Sequence, residues 1–243
     1  MVSLTNLPPS LRLPLSQWPP KDLDEMMQAR MVHRLRPSEI WQPQAKQAAL
    51  LQLAGLDLAL YGGPVRPAVC ECIGYGGAGF GGKTEGLLGL ALVACMAIPG
   101  VKIGFFRRKF TELEGSDGAI ERSHALYGRA GGHYNDQKHT WFFGKDDEKG
   151  TAPALRFCHC QYELDVQDYL SAAFDILLID EATQFSWYII DHLIARNRPS
   201  KASKIPKVFR VMTANPGGIG HSFYMQIFGI GKDVPLSPAA PKP

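Results

Sequence analysis

The chain has 243 residues, 45% of them apolar and 20% charged, with a formal charge of +3. These are ordinary values for a globular protein long enough for one sizeable α/β domain, and the charge is too small to identify nucleic acid as a partner. No apolar run approaches the roughly 20 residues that span a bilayer, and the N-terminus lacks the basic-then-apolar order of a secretory signal, which excludes a membrane protein and points to the cytoplasm.

Residues 1–40 are rich in proline, with Pro8-Pro9 and Pro19-Pro20, and read as a peripheral arm with a short helix around Leu23 to Leu35. From Gln42 to Leu60 the sequence QPQAKQAALLQLAGLDLAL has helical periodicity, broken by Gly62-Gly63-Pro64 before a strand over Ala68 to Ile73. A glycine-rich segment follows. From Gly77 to Thr84 it carries a complete G-x-x-x-x-G-K-T pattern between an apolar stretch and a helix-like run. Glycines there let successive backbone N–H groups face a triphosphate, Lys83 reaches the β and γ phosphates, and the Thr84 hydroxyl is placed to hold Mg²⁺ at a helix N-terminus. The candidate nucleotide-binding residues are therefore Gly77, Ala78, Gly79, Phe80, Gly81, Gly82, Lys83, Thr84 and the adjoining Glu85.

Thr84 to Ala97 is apolar nearly all round, with Gly86 and Gly89 permitting close approach, so it reads as a helix buried against a sheet until Pro99-Gly100 stops it. Val101 to Phe106 is the next strand, and Gly115 to Tyr134 a mixed helix and loop region. Thr140 to Phe143 and Ala154 to Cys160 form a strand pair around the polar loop KDDEKG. Phe174 to Ile179 and Val208 to Thr213 complete the strands, and the tail 231–243 has the composition of a linker or disordered end. Strands alternating with helices predict a mostly parallel sheet covered on both faces, with ligand loops at the carboxyl ends of the strands. The five cysteines are odd in number and mostly alternate in strand-like segments, as small core residues do. Cys158-His159-Cys160, with Cys70 and Cys72 available, invites a metal reading, but neither pair has the C-x-x-C spacing of common zinc sites.

Two further segments carry chemistry. Phe174-Asp-Ile-Leu-Leu-Ile-Asp180-Glu181 is a buried strand delivering two adjacent carboxylates, Asp180 to hold Mg²⁺ through water and Glu181 to polarise the attacking water. The strand ending in Thr213-Ala-Asn215-Pro-Gly-Gly offers Thr213 and Asn215 as hydrogen-bond partners for the γ phosphate or the lytic water. Arg107 and Arg108 follow a strand, where each is as well suited to a structural ion pair as to the nucleotide; Arg196 and Arg198 lie at a helix end beyond Glu181.

In this order the three motifs resemble the ATPase domain of the large terminase subunit of tailed bacteriophages, the motor that packages DNA. The resemblance spans roughly Gln44 to Phe228 through GYGGAGFGGKTEGLL, FFRRKFTELEGS, FDILLIDEATQF, LIARNR and TANPGGIGHSFY. It implies a P-loop NTPase fold of the ASCE, RecA-like type, with a small peripheral subdomain from the N-terminal arm and C-terminal end and a motor domain over 41–230. It implies ATP and Mg²⁺ as cofactors, an adenine contact by Gln47 with Gln44 as the fallback, and Arg108 near the nucleotide. The implied partners are double-stranded DNA, the portal protein and procapsid, the small terminase subunit, and copies of the chain in a ring on the portal, the isolated chain being monomeric in the host cytoplasm. Large terminases normally add a C-terminal nuclease domain, for which this chain has no room, so it reads as an isolated, engineered motor domain without nuclease activity. Some relatives carry an arginine finger at the position that here reads Leu170, and no Lys or Arg occurs between Phe157 and Ala195. Arg196, Arg198, Arg156 and Arg129 are left as candidates for that role. A superfamily 2 helicase would need a second RecA-like domain, and a GTPase the absent Asn-Lys-x-Asp motif. A small-molecule kinase fits less well because the Asp180-Glu181 pair suits water activation. A nucleotide-dependent binding module without turnover stays open.

Overall fold

Short runs of apolar, β-branched and aromatic residues with no polar alternation predict strands buried on both faces, and that is how the sheet is built. The computed structural model describes residues 35–77, 82–144 and 150–230. Seven strands, β1 (Cys72–Gly76), β2 (Lys102–Arg107), β3 (Gly132–Asn135), β4 (Thr140–Phe143), β5 (Ala154–His159), β6 (Ile176–Ile179) and β7 (Phe209–Ala214), form one sheet in the order β1-β7-β6-β2-β5-β4-β3. The first five in that order are parallel, and β4 and β3 add an antiparallel edge. The last strand in sequence is thus inserted between the strand that enters the phosphate loop and the strand that ends in Asp180.

Alternate residues of the central strands feed two cores. Ile103, Phe105, Leu155, Phe157, Ile176, Leu178, Phe209 and Val211 join a cluster with α3 (Lys83–Ala97). Phe106, Cys158, Leu177, Ile179 and Met212 join the other, with α6 (Trp187–Ile194), α7 (His221–Phe228) and the 3-10 turn Glu163–Tyr169. From Leu87 to Ala94 every large side chain of α3 is buried, which explains a helix that is apolar all round. Trp41, just after α1 (Pro37–Ile40), packs flat on that helix: a Cβ at Gly89 would lie 2.3 Å from its ring. On the antiparallel side, α4 (Thr111–Glu114) and α5 (Ala119–Tyr127) follow β2; the Tyr127 hydroxyl donates to the Leu88 carbonyl and Trp141 Nε1 to Ser123 Oγ, both at the core.

Several elements differ from the expected ones. The helix expected over Gln42 to Leu60 is α2 (Ala45–Leu53) followed by a separate 3-10 turn, Ala59–Tyr61. Gly55 turns the chain in the left-handed region against the Arg66 carbonyl, so the apolar periodicity continued through a break. The strand expected over Ala68 to Ile73 begins at Cys72 instead, because its partner β7 pairs Cys72 with Arg210 and Val69 is left exposed. In the mixed region, Gly132–Asn135 proves to be the edge strand β3, and beyond the last expected strand the chain forms the helix α7. The short helix around Leu23, the arm up to residue 34 and the tail 231–243 lie outside the described residues.

Candidate nucleotide site

The sheet order brings the chemistry together. β1 ends at Gly76 and hands the chain to the loop, of which Ala78, Gly79, Phe80 and Gly81 lie outside the described residues. The loop closes at Gly82, the left-handed N-cap of α3, so Lys83 and Thr84 open the helix with its free N–H groups directed to the carboxyl edge of the sheet. Lys83 is 9% exposed and its Nζ donates to the Gly77 carbonyl at 3.1 Å. Behind the loop, Gln47 is buried; its Nε2 donates to the Gly82 carbonyl at 2.9 Å and its Oε1 accepts from Gln44 N–H at 2.8 Å. Gln47 is therefore tied to the loop through its amide nitrogen and to Gln44, the N-cap of α2, through its amide oxygen. Glu85, on the first turn of α3, is half-buried, and burial raises its carboxyl above the usual range, opposed by the nearby Arg122 cation.

Asp180 and Glu181 sit where β6 ends. Asp180 is 1% exposed and bracketed by two hydroxyls: Thr84 donates to Oδ2 at 2.9 Å and Thr213 to Oδ1 at 2.6 Å. The Thr213 oxygen also accepts the Glu181 N–H at 2.9 Å, so one side chain of β7 ties the Asp180 carboxylate to the Glu181 backbone. Glu181 adopts a left-handed backbone (φ 55°), which lifts its side chain off the strand line. Its carboxylate accepts from Arg107 Nη2 at 2.8 Å, Gln184 Nε2 at 2.6 Å and Asn215 Nδ2 at 3.5 Å. Arg107 Nε lies 3.5 Å from Asp180 Oδ2, and Arg107 Nη1 donates to the Glu112 carbonyl. Of the paired arginines, Arg107 thus clamps the two carboxylates, while Arg108 lines a cleft of about 250 Å³ shared with Glu181, Thr183, Gln184, Asn215 and residues 216–219.

That cleft has a stapled wall. Thr183 Oγ1 donates to the Asn215 carbonyl, and the Gly220 N–H donates to the Thr183 carbonyl. Gly218 has φ 92° and a Cβ there would lie 2.3 Å from the Thr183 carbonyl oxygen, so only glycine lets the 215–220 loop lie against the residues after Glu181. Asn215 Oδ1 is buried with no hydrogen-bond partner among the described residues. Gln184 and Thr183 were missed from sequence; the i+3 spacing of Gln184 from Glu181 was their only signal.

The four arginines left as finger candidates all make contacts away from this pair. Arg196 Nη1 donates to the Leu170 carbonyl at 2.6 Å and Arg198 Nη2 to the Ala172 carbonyl at 3.3 Å, so both stand beside the Leu170 position. Arg129 holds the carbonyls of Glu39 and Ile40, and Arg156 lies over the Tyr169 ring at 5.6 Å. The cysteines behave as core residues. Cys95, Cys158 and Cys160 are buried, burial pushes the last two thiols up to about 12, and among the described residues no three His, Cys, Asp or Glu side chains gather as metal ligands. No helix among the described residues is long and apolar enough to cross a membrane.

The donor set at Thr84 and Asp180, a hydroxyl and a carboxylate 2.9 Å apart, suits a hard cation such as Mg²⁺, which takes one or two carboxylates and completes its shell with phosphate and water oxygens.

No protein-family model matches the chain, and no curated protein does. Among solved structures, the ATPase domain of the large terminase of Thermus phage P74-26 superposes with a TM-score of 0.54 at 14% identity, over 86% of this chain and 80% of that one. A point variant of that domain gives 0.53 at 13% identity, over 84% and 81%. The large terminase of a thermophilic bacteriophage gives 0.54 at 15% identity, over 77% of this chain but 43% of that one, so this chain spans less than half of that protein's length. The chain has the fold of these ATPase domains, a mostly parallel seven-stranded P-loop sheet flanked by helices.

Proposed function

We propose that the chain is an ATP-hydrolysing motor domain of the large-terminase type, driving double-stranded DNA into a procapsid. The observation that carries the reading is Asp180, enclosed between the hydroxyls of Thr84 and Thr213, with Glu181 held next to it at the mouth of a cleft. This is the arrangement a water-activating phosphohydrolase needs: one carboxylate for the cation and a second, on the same strand end, for the nucleophile.

Lys83 and the backbone N–H groups at the start of α3 bind the phosphates, and Gln47, or Gln44 beside it, faces the base. Thr84 and Asp180 would hold Mg²⁺, which supplies neutralisation of the charge that builds up on the phosphoryl oxygens. Glu181 takes the proton of the attacking water. Thr213, bonded to both Asp180 and the Glu181 backbone, keeps the two carboxylates in register. Asn215 lines the same cleft, donates to Glu181 and belongs to the loop stapled to Thr183, so a change at Glu181 is transmitted to α7 without a long path. Arg108 lines the cleft from the other side. The likeness to terminase ATPase domains supports the further reading that DNA, the portal with its procapsid, the small terminase subunit and neighbouring copies of the chain are partners, with Arg196 or Arg198 the arginine offered to a neighbour.

The test pairs two variants. Lys83→Ala should abolish nucleotide binding or turnover, whereas Glu181→Gln should bind ATP with nearly unchanged affinity and release no phosphate. Binding is read by a fluorescent ATP analogue and turnover by phosphate release. Wild-type turnover in the Glu181→Gln protein removes the role given to that carboxylate, and ATP binding without turnover in the unmodified chain, alone or with DNA, removes the motor.

A further inference from the structure

A basic loop lies at the end of the sheet opposite Asp180. The 14 residues 195–208 between α6 and β7 have no helix or strand, an unusual length for a plain connection in a compact domain. They contain Arg196, Arg198, Lys201, Lys204 and Lys207 and no acidic residue. The whole chain has 26 Lys and Arg against 23 Asp and Glu, so without these five it would carry 21 basic against 23 acidic residues. The loop is thus a local run of five basic residues with no acidic residue to offset it. Among the described residues none of the five enters an ion pair, and Arg198, Lys201 and Lys204 are exposed.

The loop is also built to hold its shape. Asn197 Nδ2 donates to three carbonyls, those of Phe174, Asp175 and Phe209. The Asp175 carboxylate, fully buried beneath the loop, accepts from Ser200 N–H, Ser200 Oγ and Lys102 N–H. Lys204 N–H donates to the Pro99 carbonyl, and Ala202 packs so closely on Gly100 that a Cβ there would lie 2.3 Å from its carbonyl oxygen. Because the loop leads into β7 and is pinned at the starts of β2 and β6, it lies at the end of the sheet opposite Asp180. Five like charges on a pinned backbone form a fixed positive patch, and pinning lowers the ordering cost of binding an anionic partner.

We infer that the part of this loop from Lys201 to Lys207, beyond the two arginines, is a docking surface for the phosphate backbone of duplex DNA, separate from the nucleotide site. Its contacts are the kind that position a protein on DNA without reading sequence, which a translocating protein requires. The choice of duplex DNA over another polyanion rests on the motor reading; the charge and the anchoring do not.

The experiment measures binding of a fluorescent duplex of arbitrary sequence across a salt series, for the unmodified chain, for Lys201→Ala/Lys204→Ala/Lys207→Ala together, and for the same three positions changed to Arg. Each phosphate contact contributes about 0.9 to the slope of log K against log salt, so the alanine triple should lower the slope by about 2 to 3 and weaken binding in about 0.1 M salt by on the order of 10² to 10³. The arginine triple should bind like the unmodified chain, and DNA-free ATP hydrolysis should be the same in all three proteins. Undetectable binding by the unmodified chain at about 50 mM salt, or an unchanged slope in the alanine triple, overturns the surface. Lysine-dependent duplex binding by a chain that hydrolyses no ATP keeps the surface and removes the motor.

Discussion

Arg107 bridges the two carboxylates, and a double-mutant cycle measures how far their geometry depends on it. Its guanidinium is 2.8 Å from Glu181 Oε1 and 3.5 Å from Asp180 Oδ2, with side-chain exposures of 17% for Arg107 and 21% for Glu181. A hydrogen bond between charged groups in such a partly buried place contributes about 1.5 to 3 kcal/mol net. Arg107→Met should cost more than this, about 2 to 4 kcal/mol, because it leaves Asp180 enclosed with only hydroxyl donors. Glu181→Gln by itself has no fixed sign, since removing a charge from a strained site relieves as well as destabilises. The coupling energy from Arg107→Met, Glu181→Gln and the pair, read by urea unfolding, should be about 1.5 to 3 kcal/mol. For a chain of this length 1 kcal/mol moves the melting temperature by about 2 to 4 °C, so thermal melts resolve the cycle as well. Arg107→Lys, which keeps the charge but cannot fork between two carboxylates, should recover less than half of the loss. Additivity within about 0.5 kcal/mol refutes the clamp and returns Arg107 to the status of an ordinary strand-end cation.

Gly218→Ala should lower stability by about 2 to 4 kcal/mol, seen as a reduced melting temperature, because the left-handed backbone and the Thr183 carbonyl at 2.3 Å leave no room for a methyl group; an unchanged melting temperature would mean that the 215–220 loop is not packed as described. The thiols separate by burial: an aromatic disulfide reagent at about pH 8 should label Cys70 quickly and Cys72 more slowly, since burial raises the Cys72 thiol. Cys95, Cys158 and Cys160 should react only after denaturant is added, and rapid native labelling of three or more thiols contradicts the burial described for them.

The elements that depend on local pattern could be read from the sequence alone. The G-x-x-x-x-G-K-T segment, the all-apolar helix behind it and the run ending in Asp180-Glu181 declare themselves through glycine, period and a sudden polar end, all within a few residues. Residues that meet across long sequence distances could not be paired that way. Thr84 reaches Asp180 across 96 positions, and Thr213 reaches it only because β7 slides between β1 and β6, a choice made by which strand faces bury together. Arg107 and Arg108 are equivalent as neighbours in sequence, and only the folded sheet shows that Arg107, the last residue of β2, meets the carboxylates while Arg108, just past the strand end, lines the cleft. The basic residues after α6 were visible only as arginines at a helix end; their meaning as a surface came from Asp175 and Asn197, buried anchors that hold an irregular loop still. Composition and period specify what a segment is, and the packing of the sheet specifies what it stands beside.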